Sequence, residues 1–142
     1  MSVSETNRSC NTFWVPPCAG VFKINVDRDF RQPSSGSCGV VIRDHTGFCV
    51  AACYGPVFVV SALQAEAIAV RQGLDLAKVV GLSFCVIESD CQEIVNAFQK
   101  GFSEVPTTVK SLLKDILNVA TTFSISFSFV SRSCNSNAHA LA

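Results

Sequence analysis

Residues 21–27 read Val-Phe-Lys-Ile-Asn-Val-Asp, an alternation of apolar and polar side chains that ends on an acid. A period of two places the apolar side chains on one face of a strand and the polar ones on the other. The segment therefore predicts a half-buried first strand, with Asp27 at its end.

The next segments predict a meander. A turn is expected at Arg31–Gly36, where a proline, serines and a glycine cluster. Two apolar runs, Gly39–Arg43 and Phe48–Ala52, are separated by four polar or small residues, which is typical of a hairpin. Three antiparallel strands are therefore expected before the first helix.

Capping patterns and glycines divide the rest of the chain. Ser61-x-x-Gln64 and Ser89-x-x-Gln92 both fit a capping box, and Gly81 and Gly101 supply the stops. The remaining predicted elements are a helix from Ser61, a strand at Leu82–Ile87, a helix from Ser89 to Lys100, a helix at Val109–Thr121, a strand at Phe123–Phe129 and a last helix from Asn135 or Ser136 that is cut short. This order predicts an α/β fold with one mixed sheet covered by helices.

The composition indicates one folded domain. Of 142 residues, 49% are hydrophobic and 15% charged, which excludes general disorder. We expect a flexible tail at residues 1–12 and a domain at 13–142. The net charge is zero, so a nucleic acid would have to be held by a local patch or by bridging metal ions.

The eight cysteines show no metal-binding spacing and no C-x-x-C pair. Several lie in apolar runs, so we expect reduced, mostly buried thiols, an intracellular protein in the nucleus or cytoplasm, and no disulfide-linked partner. We expect no signal peptide, because residues 1–10 are polar and contain no apolar core. Residues 48–65 carry no charge, but Gly55-Pro56 interrupts them, so no membrane span is expected.

Three of the eleven acids fall where the predicted elements converge. Asp27 ends the first strand, Asp90 follows the fourth strand, and Glu66 lies near the start of the long helix. Each alone has a structural explanation, since acids near helix N-termini are favoured by the helix dipole. Three converging carboxylates would repel one another unless a divalent cation lay between them. Oxygen-only ligands favour Mg²⁺ or Mn²⁺, with carboxylates roughly 4–7 Å apart, and a pair of such ions suits phosphodiester hydrolysis.

The chain resembles the retrotransposon-derived ribonuclease H-like family that is abundant in plants. Segments in family order and spacing run from about Trp14 to the last residue: Trp14 with Pro16-Pro17, Lys23–Asp27, Gly39–Asp44 with Gly47, Gln64–Ala67, Gly73-Leu74, Glu88–Asp90, and Arg132 with Asn137–Ala142.

The resemblance implies a five-stranded mixed sheet of the ribonuclease H-like fold, an antiparallel meander plus parallel strands, flanked by helices. It implies metal-dependent hydrolysis of the RNA strand of RNA–DNA hybrids by a monomer. Asp27, Glu66 and Asp90 would be the catalytic carboxylates that hold two Mg²⁺ or Mn²⁺ ions. The polar residues beside Asp27 and the neighbouring loops would contact the duplex.

Two positions depart from the family pattern. His139 stands where the family usually has a fourth acid; it is either a further metal ligand or an exposed histidine on a terminal helix. Arg28 follows Asp27 where a small residue is common, and it would either grip a substrate phosphate or obstruct the hybrid. The loop before Asn135 has Arg132 as its one basic residue and carries no histidine.

Three hypotheses remain open on the sequence alone. The first is an active hybrid endonuclease, favoured by the complete acid set. The second is a catalytically weak or inactive nucleic-acid-binding relic of a retrotransposon domain, favoured by His139, Arg28 and the zero net charge. The third, a thiol-based redox protein, rests on the cysteine count.

Overall fold

A computed structural model of the protein describes residues 13–31, 33–122 and 124–135. Five strands, three α-helices and one 3-10 turn occur within these ranges. In chain order they are β1 (Phe22–Arg31), β2 (Ser35–Arg43), β3 (Cys49–Phe58), α1 (Ala62–Val79), β4 (Phe84–Ser89), α2 (Gln92–Lys100), α3 (Thr107–Ala120), β5 (Ser124–Phe129) and the 3-10 turn (Arg132–Asn135).

The strands form one five-stranded mixed sheet in the order β3-β2-β1-β4-β5. β1 and β3 pair with β2 in antiparallel fashion, while β4 pairs in parallel with both β1 and β5. The predicted α/β class and the mixed five-stranded sheet are therefore confirmed. β1 is the central strand, and its residues from Lys23 to Val26 have a strand on both sides.

The pairing of β1 with β4 stops before β1 ends. Its last partners are Val26 and Ser89, whereas β1 continues beside β2 as far as Arg31 opposite Ser35. Beyond Ser89, the edge of β1 that faces β4 has no strand next to it. This leaves a notch in the sheet, and Asp27 is the first residue of β1 within it.

Helix α1 covers the apolar face of the central strands. Ile24, Val26 and Val40 are completely buried there, and Gly73 of α1 lies directly over them. A Cβ on Gly73 would come 2.9 Å from Ile24 Cγ2 and 3.1 Å from Val26 Cγ1. The absence of a side chain at this position lets the helix approach the sheet closely enough to bring its N-terminal part to the notch.

Helix α1 begins and ends as the sequence predicts. The Ser61 hydroxyl accepts a hydrogen bond from Gln64 N at 3.1 Å, and the Gln64 side chain accepts one from Val60 N at 2.8 Å. At the other end, Gly81 has a φ of +78°, a conformation that side-chain-bearing residues rarely adopt. Gly101 ends α2 in the same way, at a φ of +114°.

The second predicted capping box is wrong. Ser89 is the last residue of β4, and the N-cap of α2 is Cys91. The Ser89 hydroxyl accepts a hydrogen bond from Cys91 N at 3.0 Å but directs its own hydrogen to Glu66. The hydroxyl therefore donates a hydrogen bond to Glu66 and accepts one in the turn before α2.

Strand ends differ from the predictions more than helix ends do. β1 extends to Arg31, so Asp27 is an internal strand residue and not the last one. The turn predicted at Arg31–Gly36 is shorter than expected, because Arg31 and Ser35 are already paired. β3 continues through Gly55 and Pro56 to Phe58, where the sequence predicted its end at Ala52. Pro56 is tolerated because β3 lies at the edge of the sheet.

The edge strands β3 and β5 contain no charged residue, as their sequences CVAACYGPVF and SISFSF show. None of the described helices is long and apolar enough to cross a membrane. The predicted tail at residues 1–12 and the predicted last helix after Asn135 lie outside the described residues, and the boundary between tail and domain remains a prediction.

We expect Gly73→Val to lower the free energy of unfolding by about 2 kcal/mol, because the added carbons must displace β-branched side chains that have little freedom to move. Urea unfolding followed by circular dichroism measures the change. Lys78→Val introduces the same side chain at an exposed position of α1 and should cost less than about 1 kcal/mol. Equal losses for the two variants would contradict the close approach of α1 to the sheet.

Candidate metal centre

Three acids from distant parts of the chain meet at the notch. Asp27 comes from β1, Glu66 from the second turn of α1, and Asp90 directly follows β4. One carboxylate oxygen of each lies within 4.8 Å of those of the other two. The predicted convergence of these three acids is therefore present in the structure, at a separation within the range expected for a shared cation.

Glu66 is the most deeply enclosed of the three. Its side chain is completely buried, and the Ser89 hydroxyl donates a hydrogen bond to its Oε2 at 2.5 Å. Its Oε1 is also buried and has no hydrogen-bond partner within the described residues. A buried oxygen of this kind is costly unless it is protonated or a cation satisfies it.

Arg132, from the 3-10 turn, bridges the other two acids. Its Nη1 lies 3.4 Å from Asp90 Oδ2 and 3.7 Å from Asp27 Oδ2. Asp27 is fully buried and the Asp90 side chain is 10% exposed, whereas the Arg132 side chain is 55% exposed. The guanidinium therefore approaches the pair from the solvent side. Sequence reasoning noted Arg132 as the one basic residue of its loop but did not place it at the site.

Arg28 contributes a second positive charge to the cluster. Its charge opposes the upward pKa shifts of both Glu66 and Asp90, so its guanidinium acts on both carboxyls. Its Nε is buried and makes no hydrogen bond within the described chain. Arg28 thus lies beside the predicted centre, and its predicted role in holding substrate stays a prediction.

Burial and mutual repulsion raise the pKa values of Glu66 and Asp90. Burial raises the pKa of Glu66 to about 8, and the negative charges of Asp27 and Asp90 add to this, although the Ser89 hydrogen bond acts in the opposite direction. Burial followed by the charge of Asp27 also raises the pKa of Asp90, and Arg132 and Arg28 oppose that shift. The two guanidinium groups therefore do not outweigh the effect of burial on these two carboxyls.

The donor set fits a hard divalent cation. It consists of carboxylate oxygens, which suit Mg²⁺ and Mn²⁺ better than softer metals. Within the described residues, Oε1 of Glu66 is buried without a hydrogen bond and the pKa of this carboxyl is raised, so this part of the chain leaves its charge unsatisfied. His139, the predicted fourth ligand, lies outside the described residues.

A second polar cluster on β1 was not anticipated from the sequence. Glu88 Oε1 accepts hydrogen bonds from Trp14 Nε1 at 3.1 Å and Asn25 Nδ2 at 3.0 Å, and Glu88 Oε2 lies 3.0 Å from Lys23 Nζ. The Arg43 guanidinium stacks on the Trp14 ring, 3.7 Å from its centroid. The polar residues of β1 before Asp27 are therefore engaged within the protein, and the expectation that they contact a duplex is wrong for the fully buried Asn25.

This second cluster also holds the turn that carries Arg132. Asn135 is completely buried; its Nδ2 donates to Val26 O at 2.8 Å and its Oδ1 accepts from Asn25 Nδ2 at 3.0 Å. Both contacts lie next to Asp27 along β1. The sequence marked Asn135 only as a possible cap of the last helix, and no local pattern predicted its hydrogen bonds to β1.

Seven cysteines lie within the described residues, all as free thiols. Three are buried, two are half-buried and two are exposed, so the expectation that most are buried is wrong for this part of the chain. Burial raises the pKa of Cys38 to about 12 and, as the largest cause, those of Cys85 and Cys91 to about 11. These three thiols are therefore poor nucleophiles at neutral pH, which weakens the redox hypothesis.

One protein family and several solved structures are similar to this chain. The sequence profile of a family described as reverse transcriptase-like matches residues 25–142. A search of curated protein sequences gave no significant match.

Solved structures of ribonucleases H share the fold. RNase H1 from the halophilic archaeon Halobacterium salinarum superimposes with a TM-score of 0.81 at 21% identity, over 86% of this chain and 94% of that one. The N-terminal RNase H domain of Rv2228c from Mycobacterium tuberculosis gives 0.80 at 21% identity, over 86% and 90%. LC11-RNase H1, from a compost metagenome and solved with an RNA/DNA hybrid, gives 0.77 at 20% identity, over 84% and 92%.

We expect the metal-free protein to lose stability as the pH rises from about 5 to 8. A carboxyl whose pKa is raised on folding, as that of Glu66 is from 4.5 to about 8, stabilises the fold fully below the lower value. That stability is lost as the pH passes through the higher value. The melting temperature in EDTA, measured across this range, tests the slope.

Glu66→Gln should flatten this slope, because glutamine cannot ionise. Glu104→Gln, at an exposed position, should leave it as in the parent protein. A Glu66→Gln profile that kept the full slope would show that the titrating group lies elsewhere.

Proposed function

The chain belongs to the reverse transcriptase-like family, and from that premise we propose that it hydrolyses the RNA strand of RNA–DNA hybrids at the centre formed by Asp27, Glu66 and Asp90. The observation that carries the proposal is the meeting of three carboxylates within 4.8 Å in a notch of the sheet, one of them with a buried oxygen left without a hydrogen bond in the described chain. A fold of this size could close that notch with apolar side chains at far lower electrostatic cost.

Each acid has a distinct place in the proposed reaction. Asp27 is held on the central strand and fixes the position of the ions relative to the sheet. Glu66 enters from α1, and the hydrogen bond from Ser89 fixes the orientation of its carboxylate. Asp90 is the most exposed of the three and faces the side from which a duplex would come.

We propose Mg²⁺ or Mn²⁺ as the cofactor, with two ions in the working enzyme. When bound, such ions supply an activated water and stabilise the charge that develops on the phosphodiester. The protein's part is to present ionised carboxylates, which the cations favour by displacing the proton that burial retains on Glu66. One similar structure, that of LC11-RNase H1, was solved with an RNA/DNA hybrid, which supports a hybrid as the substrate.

The second candidate function is hybrid binding with little or no turnover. Two observations favour it: Arg28 and Arg132 already place positive charge on the acids, and the chain has His139 where its family usually has an acid. Under this hypothesis the guanidinium groups hold backbone phosphates and the acids serve mainly to orient them. Cleavage assays separate the two functions directly.

We propose that the domain derives from a plant retrotransposon and acts as a monomer in the nucleus or cytoplasm. The order of the family segments supports the origin. The free thiols in the described part of the chain support a reducing compartment.

We expect Asp90→Asn to reduce cleavage of a labelled RNA–DNA hybrid in Mg²⁺ or Mn²⁺ by more than about 100-fold, since even residues that only support metal ligands cost 10–100-fold. The melting temperature in EDTA should stay within a few degrees of the parent value. The lost contact with Arg132 is largely exposed, and the relief of repulsion with Asp27 offsets it.

Asp75→Asn is the matched control, because it removes one exposed acid from α1, away from the notch. It should cleave like the parent. An Asp90→Asn protein that cleaves the hybrid at the parental rate would exclude the enzyme hypothesis. A parent protein that binds the hybrid but never cuts it would favour the binding hypothesis.

Under the enzyme hypothesis, we expect His139→Asp to raise cleavage and to lower the Mg²⁺ concentration needed for half-maximal activity, because a carboxylate adds a charged oxygen ligand. His139→Asn has a similar polarity without the charge and should not do so. If both variants behave like the parent, His139 is not at the metal centre.

A further inference from the structure

The contact between Arg132 and the acid pair bears on how the centre takes up a cation. A divalent ion bound to carboxylate oxygens lies about 2.1 Å from them. Arg132 Nη1 lies 3.4 Å from Asp90 Oδ2 and 3.7 Å from Asp27 Oδ2, so it is close to one oxygen of each acid. A guanidinium there and an ion on the same oxygens would be a few ångströms apart and would repel each other.

The backbone of the 3-10 turn that carries Arg132 is fixed, whereas the Arg132 side chain is partly exposed to solvent. Asn135 anchors the 3-10 turn through its two hydrogen bonds to β1, and Cys134 Sγ donates a weak hydrogen bond to Phe13 O at 3.0 Å. The side chain of Arg132, by contrast, is 55% exposed. It can therefore leave the carboxylates by rotation of its own bonds, while its Cα stays beside the centre.

A displaced guanidinium at this position can bind an anionic group of a ligand. Its planar fork of N–H donors matches a phosphate group, with which it can form two parallel hydrogen bonds. The nucleic-acid backbone would supply such a group at the rim of the notch. Arg28, whose Nε is buried, has no comparable freedom.

We propose that Arg132 is an exchange residue: it holds Asp27 and Asp90 together before a divalent cation binds, yields them to the cation, and then contacts a backbone phosphate of the bound nucleic acid. This inference rests on the proposed function, because it takes the same acids as the cation site. It makes Arg132 a positioning residue that couples ion binding to duplex binding.

Two measurements on Arg132→Ala test the exchange, and they should move in opposite directions. Titration calorimetry with MgCl₂ alone should give a two- to fivefold lower dissociation constant for the variant than for the parent, the range that loss of a competing exposed ion pair gives. Binding of an RNA–DNA hybrid in Ca²⁺, with a gel to verify that the strand stays intact, should be weaker.

The salt dependence of hybrid binding gives the most specific result. In Ca²⁺ the slope of log K against log salt should be smaller by about one for Arg132→Ala, the value of one lost phosphate contact. In EDTA the two slopes should agree, because Arg132 is then held on Asp27 and Asp90. A role that is only structural would give no such dependence on the cation.

Two further variants complete the test. Lys114→Ala removes an equally charged, exposed side chain from α3, which contributes no residue to the acid cluster, and it should leave the Mg²⁺ affinity unchanged. Arg132→Lys keeps the charge and should retain the parental slope in Ca²⁺.

The inference is overturned if Arg132→Ala binds Mg²⁺ no more tightly than the parent, or if its salt slope differs equally in EDTA and Ca²⁺. If that happens while the parent binds Mg²⁺ and cleaves the hybrid, the proposed function stands and only the exchange fails. Absence of Mg²⁺ binding by both proteins would overturn the two together.

Discussion

Mutual repulsion among three carboxylates held within 4.8 Å is the constraint on which the rest of the structure depends. Together with burial, the larger cause, it raises the pKa values of Glu66 and Asp90, and the Ser89 hydroxyl, Arg28 and Arg132 oppose these shifts. It also accounts for the notch, since carboxylates need open space beside β1 that a continuous β4 would fill. Within the described residues, Glu66 keeps one buried oxygen without a hydrogen bond, and a bound cation would satisfy it.

A second polar cluster, around Glu88, also involves β1, but its polar groups are paired with one another. The hydrogen bonds and the ion pair around Glu88 are formed within the protein, where Asn25 and Glu88 are buried and Trp14 and Lys23 are half-buried. It joins the segment around Trp14, the central strand and the 3-10 turn. A satisfied polar network of this kind fixes one arrangement of its members. Because this network is rigid and lies next to the acids, it keeps the strand that carries Asp27 in place when the acids ionise.

The sequence predicted the sheet, the helices and the three acids, but not what surrounds the acids. Alternation and capping patterns are local, so helix ends at Ser61, Gly81 and Gly101 agree with the structure. Strand ends depend on partners: β1 continues past Asp27 because β2 pairs with it, which no local pattern reveals. Ser89 was predicted to cap a helix because a serine hydroxyl can either cap a helix or donate a hydrogen bond to a buried acid. The sequence pattern does not distinguish these two roles. Arg132 is 105 residues from Asp27, and only the tertiary fold brings them together.

The two uncharged edges of the sheet have a consequence for the protein before it finishes folding. Edge strands present unpaired N–H and C=O groups, and many proteins place lysine there to keep copies apart. β3 and β5 have no such gatekeeper, Phe58 on β3 is 90% exposed, and the chain has no net charge to repel its own kind. Strand-to-strand aggregation therefore competes with folding of the newly made chain. Dilution, a chaperone, or a partner that covers an edge would raise the yield of native protein without altering the native state itself.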